Sequence, residues 1–200
     1  MVVVIEIQSE NDALAWNNLV KQTGGHPLQL WGWGEVKSAH GWKAHRVRVL
    51  RQGRVLGGAQ LLIKRLPWPL GALAYIPRGP FGSIGAEGEK ALANYVKATF
   101  RPTVLSMEPD STKSPLWKGW HKSPNKILLA RTAVLDLTQS EEDMQAAMSK
   151  KTRQYIRKSQ GEGITVRKAS SASDIAACLA IYKSTAKRAG FMLHLSLIHI

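Results

Sequence analysis

Cysteine is almost absent. The 200 residues hold one, Cys178, so no internal disulfide and no multi-cysteine metal site can form, and on an amphipathic segment this residue is expected as a small core side chain. Long apolar runs are also missing. No stretch reaches membrane-spanning length, and the opening MVVVIEIQSEND has no basic segment before its apolar residues, so it does not read as a secretory signal. Cytoplasm is the expected compartment. The histidines His26, His40, His45, His121, His194 and His199 fall at no metal-ligand spacing, and no G-x-S-x-G or Gly-rich Lys-Ser/Thr phosphate loop occurs. No metal and no resident cofactor are expected.

Acid is the most informative shortage. Lys and Arg number 28 against 14 Asp and Glu, a net charge of +14. Between Val36 and Ala86 there is no acidic residue, yet Lys37, Lys43, Arg46, Arg48, Arg51, Arg54, Lys64, Arg65 and Arg78 all lie there. Such a field draws phosphorylated partners: a nucleic acid, a nucleotide-linked substrate or an anionic membrane surface. It does not choose among them.

What is present reads as a mixed α/β (α+β) chain. Val2–Ile7 is strand-like and leads to a helix capped by Ser9 or Asn11, followed by a short helix carrying Trp33, Val36 and Lys37. Arg46–Leu50 alternates, Val47 and Val49 on one face and Arg46 and Arg48 on the other, and Gln52-Gly53 turns it back into Val55–Ile63 as a β-hairpin. Strands are predicted at Leu73–Ile76, Thr103–Met107, Ile127–Leu137 and Ile164–Arg167, with helices over Glu87–Phe100 and from Ser173 to Gly190. Antiparallel pairing early and strand-helix alternation later argue for a mixed sheet. Arg54-x-x-Gly57-x-Ala59 fits a loose acyl-coenzyme A pyrophosphate pattern, but such a cradle needs a helix N-terminus directly after it, and Gln60–Lys64 continues a strand.

Ser140–Gly163 reads as one helix, N-capped by Ser140, acid-rich at its start and stopped by Gly161. At about 100° per residue, Lys150, Arg153 and Arg157 share an arc flanked by Lys151 and Lys158, with Met144, Met148, Tyr155 and Ile156 opposite. Like charges one turn apart cost about 0.2–0.5 kcal/mol each, a cost without return unless an anion is held. Residues 1–138 and 139–194 are expected as two domains, the second incomplete, and Leu195–Ile200 as a non-native tail.

Four segments, LQLWGWGEVKSAHGW (Leu28–Trp42), AYIPRGPFG (Ala74–Gly82), LSMEPD (Leu105–Asp110) and VLDLTQSEEDMQAAMSKKTRQYIRKSQGEGITV (Val134–Val166), occur in an order and spacing that resembles the Fem-type peptidyltransferases, the peptidoglycan bridge-forming or lipid II:glycine glycyltransferase family. The resemblance implies two N-acetyltransferase-like domains, of which this chain holds the first, without its C-terminal completion, and the start of the second. It further implies transfer of an amino acid, with glycine, alanine or serine expected, from aminoacyl-tRNA to an amine of a muropeptide precursor, lipid II or UDP-MurNAc-pentapeptide. Activity is expected of a longer natural chain and not of these residues alone.

Residue by residue, Lys37 would contact the precursor diphosphate, and of Arg153 and Arg157, an i, i+4 pair in the T-R-x-x-I-R segment able to straddle a diphosphate, one would bind it. Lys150, Lys151 and Lys158 would attract tRNA or phosphate, and Glu108 before Pro109 would orient or deprotonate the attacking amine, or order the substrate peptide. Arg78, in Y-x-P-R-G-P, would face the cleft as an anion contact. Trp31, Trp33 and Trp42 are expected to pack rather than to stack on substrate. The alternatives are an acyl-coenzyme A-dependent N-acyltransferase and a non-catalytic RNA-binding module.

Overall fold

The protein is described by a computed structural model that covers residues 4–111, 119–124, 127–129, 131–132 and 134–191. It divides into two compact units, the first ending at Leu128 and the second beginning at Leu129. His194, His199 and the tail Leu195–Ile200 lie outside the described residues.

The first unit is a six-stranded sheet with strands β1 (Ile5–Ser9), β2 (Lys43–Arg51), β3 (Arg54–Arg65), β4 (Ala72–Pro77), β5 (Phe81–Gly82) and β6 (Val104–Glu108). Its order is β1-β2-β3-β4-β6, antiparallel until β4, with β6 parallel to β4 and β5 beside β3. A parallel neighbour needs a crossover, which helix α3 (Gly85–Phe100) supplies. Helices α1 (Ala13–Gln22) and α2 (Trp31–Ser38) precede the sheet's central hairpin. Antiparallel strands closed by a parallel one after a crossover helix make up the mixed sheet that the strand-helix alternation predicts.

Strand alternation explains the core. Val47, Ala59, Leu61, Ile63, Ala74 and Ile76 pack with Leu92 and Val96 of α3. On the opposite face Trp16 and Val20 of α1 meet Phe81, with the Trp16 and Phe81 rings edge to face at 5.2 Å. Truncating Trp16, which is fully buried, is worth about 3–5 kcal/mol. Two glycines permit close approaches. A Cβ on Gly57 would stand 2.1 Å from the Phe81 carbonyl oxygen, so only glycine lets β5 lie against β3. A Cβ on Gly34 would meet the Arg46 guanidinium at 2.3 Å and the Gln60 side chain at 2.4 Å, so glycine seats α2 on the sheet.

Several expectations are corrected. The first helix is N-capped by Asp12, whose carboxylate accepts from the Ala15 amide at 2.8 Å, rather than by Ser9 or Asn11. The Ser140–Gly163 helix is two, α4 (Glu141–Ala147) and α5 (Lys150–Gly161), because Met148 leaves helical geometry and Ser149 N-caps anew. The last helix, α6 (Ala172–Ala189), starts from a capping box of Ser171 and Asp174, and not from Ser173. Described residues of Ile127–Leu137 and of Ile164–Arg167 form no strand. Among the described residues the second unit offers no strand to pair with, and a lone strand leaves its amides and carbonyls unpaired. Cys178 is exposed, since α6 buries only Ala186.

Candidate functional site

Arg46 organises the ground on which α2 stands. It is 7% exposed, donates from Nε to Gln60 Oε1 at 2.9 Å and from Nη2 to the Trp31 carbonyl at 3.0 Å, and pairs with Glu35 at 2.9 Å. Its guanidinium lies 3.5 Å from the Trp31 ring centroid. Burial lowers its pKa and the Glu35 contact opposes that. Gln60 donates onward to the Leu28 and Leu30 carbonyls at 3.1 Å, and Gln29 accepts from the Gln60 amide at 2.6 Å while its own amide reaches the Pro77 carbonyl. This buried chain ties the α2 approach to the end of β4. The alternation of β2 placed Arg46 on the face away from Val47, but nothing in the pattern revealed that this face is buried; two glutamines before and inside apolar segments were the available signal.

On that platform Lys37 ends α2, half-buried, with Nζ 4.7 Å from the centroid of the Trp33 ring. Burial alone pushes its pKa below the usual lysine value. No carboxylate reaches it among the described residues, and the Trp33 indole N–H is buried with no acceptor. Lys37 is thus a half-buried cation with no carboxylate partner among the described residues, a charge that an anion would satisfy. Trp31, Trp33 and Trp42 each carry a cation over the ring, Lys64 standing 5.7 Å from that of Trp42, so these tryptophans hold charge as well as pack.

The carboxyl ends of β4 and β6, where the sheet turns from antiparallel to parallel, are the second region. A cavity of 280 Å³ there is lined by His26, Arg78, Gly82, Ser83 and Asp110 among others. The Arg78 side chain is 16% exposed and 3.7 Å from Asp110. His26 accepts from the Leu28 amide at 3.1 Å, and burial lowers its pKa, opposed by Asp110 and assisted by Arg78. Glu108 is heavily engaged. Oε2 accepts from the Tyr75 hydroxyl, and Oε1 accepts from the Ile127 and Leu128 amides at 3.1 and 3.2 Å. Burial, then this bond, raises the Tyr75 pKa. A carboxylate held by three donors ties the Ile127–Leu128 segment to the end of β6.

In the second unit the arginine pair divides its labour. Arg153 Nη1 donates to the Ala146 and Met148 carbonyls at 2.8 and 2.7 Å, closing the C-terminal end of α4. Arg157 is exposed and has no hydrogen-bond or ion-pair partner among the described residues. Lys150 and Lys151 occupy the first turn of α5, which holds no acid, against the positive end of the helix dipole. Lys151 stands 5.7 Å from the Tyr155 ring centroid, and Lys158 pairs with Glu162 at 3.6 Å. Lys37, Arg78 and Glu108 therefore belong to the first unit, and Lys150, Lys151, Arg153, Arg157 and Lys158 to the second.

Comparison with known proteins accords with these features. Residues 114–196 match the FemAB family. A lipid II:glycine glycyltransferase of Staphylococcus aureus (strain MRSA252) is 43% identical over 70 residues, 35% of this chain and 16% of that protein. A second Staphylococcus aureus protein of the same name is 49% identical over 55 residues, 28% and 13% of the two chains. The crystal structure of FemX superposes with a TM-score of 0.68 at 22% identity, covering 96% of this chain and 52% of that one. The chain thus spans about half of the FemX chain, and its matches cover a small part of the curated relatives. The family match is thus confined to residues 114–196, and the fold resembles that of FemX.

Proposed function

We propose that this chain is part of an aminoacyltransferase that moves an amino acid from aminoacyl-tRNA onto an amine of a peptidoglycan precursor, in the cytoplasm. The observation that carries the reading is Lys37 Nζ, half-buried over the Trp33 ring without a carboxylate partner among the described residues, on a helix anchored by the buried Arg46 network. It suits a diphosphate, whose oxygens would restore the Lys37 charge that burial disfavours.

The acceptor amine attacks the ester carbon of aminoacyl-tRNA. Its proton passes to solvent or a nearby base, the tetrahedral oxyanion collapses, and the tRNA 3′-terminal hydroxyl leaves protonated. An aminoacyl ester is already activated, so the protein's work is to hold two polyanions, orient the amine and neutralise charge. Lys37 serves the precursor diphosphate. Arg157, with Lys150 and Lys151, supplies phosphate contacts, Arg153 fixes the α4–α5 corner from which they project, and Lys158 contributes less because Glu162 neutralises it. Arg78 offers a further anion contact at the β4 end, and Glu108 orders the segment after β6 rather than acting as the base.

The acyl-coenzyme A reading has little support, because Gly57–Ala59 runs inside β3 with no helix N-terminus after it. The test is transfer itself: the natural full-length chain, a pool of charged tRNAs and a lysine-containing muropeptide, with the muropeptide followed by mass spectrometry. A ribonuclease-sensitive gain of one amino-acid residue, reduced at least about tenfold by Lys37→Ala, is the expected result. Salt-sensitive tRNA binding with no gain from any charged tRNA would favour the RNA-binding module.

A further inference from the structure

The hairpin linking β3 to β4 ends in an apolar tip, Leu66-Pro67-Trp68-Pro69-Leu70-Gly71. Trp68 is 93% exposed and Leu70 58% exposed, two large apolar side chains on one turn. The tip is held in shape. The Leu66 amide donates to the Gly71 carbonyl at 2.9 Å, the Leu70 amide donates to the Pro67 carbonyl at 2.8 Å, and the Thr103 hydroxyl donates to the Leu70 carbonyl at 2.7 Å.

This leaves the tip poor in free backbone donors. Its two prolines have no N–H, and the Leu66 and Leu70 amides are used within the turn. Such a segment can leave bulk water at small cost.

The charge around it has one sign. Lys64 and Arg65 close β3 and are exposed. Lys43 is paired in register with Ile63, and Arg101 precedes the Thr103 that grips Leu70. Glu108 and Asp110 lie past the opposite end of β6, and no acid occurs between Val36 and Ala86.

We propose that this tip docks the protein on an anionic bilayer surface, with Trp68 and Leu70 entering the headgroup layer and Lys43, Lys64, Arg65 and Arg101 facing the lipid phosphates. Tryptophan favours the membrane interface, and an apolar insertion combined with basic residues supplies the two signals that stable peripheral binding needs. An RNA would use the charge and one aromatic face, but not Leu70 or the donor-poor proline turn. The inference rests on these observations alone and survives or fails apart from the transfer reaction.

The experiment is vesicle flotation of the full chain with phosphatidylcholine alone and with phosphatidylcholine plus phosphatidylglycerol. Wild type, Trp68→Ser/Leu70→Ser and Lys64→Gln/Arg65→Gln are compared, each checked for an unchanged melting midpoint. Binding to the phosphatidylglycerol vesicles is expected, falling about tenfold in either double variant, with little binding to phosphatidylcholine alone. Absence of wild-type binding, or wild-type affinity retained by Trp68→Ser/Leu70→Ser, would overturn the proposal. So would a tip variant that loses tRNA binding while keeping vesicle binding.

Discussion

Arg46 and Arg157 show two uses of the same side chain. Arg46 is buried between α2 and the sheet, with its guanidinium shared among Glu35, Gln60, the Trp31 carbonyl and the Trp31 ring. Arg157 stands exposed on α5, in a unit whose described helices bury only Ala186. At Arg46 positive charge is part of the architecture, because a buried cation must be surrounded by acceptors to be tolerated at all. At Arg157 it remains in water, where it costs little to keep and is available to an incoming phosphate. A net charge of +14 therefore overstates the cationic surface offered to a ligand.

The largest effect should come from breaking the architectural cation. Arg46→Ala leaves Gln60 Oε1 and the Trp31 carbonyl without their donor and opens a space beside the Trp31 ring, and a loss of about 3 kcal/mol is expected. Arg157→Ala is expected to change stability by less than about 0.5 kcal/mol. Urea unfolding of both variants, followed by far-ultraviolet circular dichroism, which reports the helices of both units, checks the contrast; equal losses would show that the two arginines are not used differently.

The sheet and its crossover helix were legible because their physics is local. Val47 and Val49 alternate with Arg46 and Arg48, Gln52-Gly53 makes the turn, and Glu87–Phe100 has a helical apolar period. What escaped depends on partners far along the chain. Gln29 meets Gln60 across 31 positions and Glu108 meets the Leu128 amide across 20, and no short-range pattern encodes such meetings. The α4–α5 break was missed for another reason. Ser149 with Thr152 three residues on is an N-cap signal, but it lay within a continuous amphipathic period that suggested one helix. Lys37 and Arg157 were identified from motif position, and the structure adds that neither has a carboxylate partner among the described residues while Arg153 and Glu108 are already engaged.

That division of the arginine pair gives the next prediction. Arg153→Ala removes the donor that closes α4 and should cost about 0.5–1 kcal/mol, visible as a lower melting midpoint. Arg157→Ala should leave the midpoint unchanged and lower the salt dependence of tRNA binding by about one phosphate contact. A salt slope that falls for Arg153→Ala with no thermal cost would exchange their roles.

The smallest effect concerns an acid of the first unit that has a buried oxygen with no hydrogen-bond partner, Glu89. Glu89 lines a cavity of 510 Å³ beside α3 with Lys90, Asn94, Lys97, Leu105 and Trp120, and its Oε2 is buried without a hydrogen bond. Burial raises its pKa above the ordinary glutamate value. The folded state then holds this proton more tightly than the unfolded state, so the contribution to stability is greatest below the ordinary value and is lost as pH rises through the folded one. At neutral pH the ionised, partly desolvated carboxylate is a small burden, and Glu89→Gln should raise the melting midpoint slightly at pH 7 and leave it unchanged near pH 4. Thermal melts across that range decide it, because a neutral amide removes the charge and keeps the shape. A midpoint lowered at pH 7 would mean that the Glu89 charge is compensated by the neighbouring lysines, and that the first unit has no uncompensated acid at this cavity.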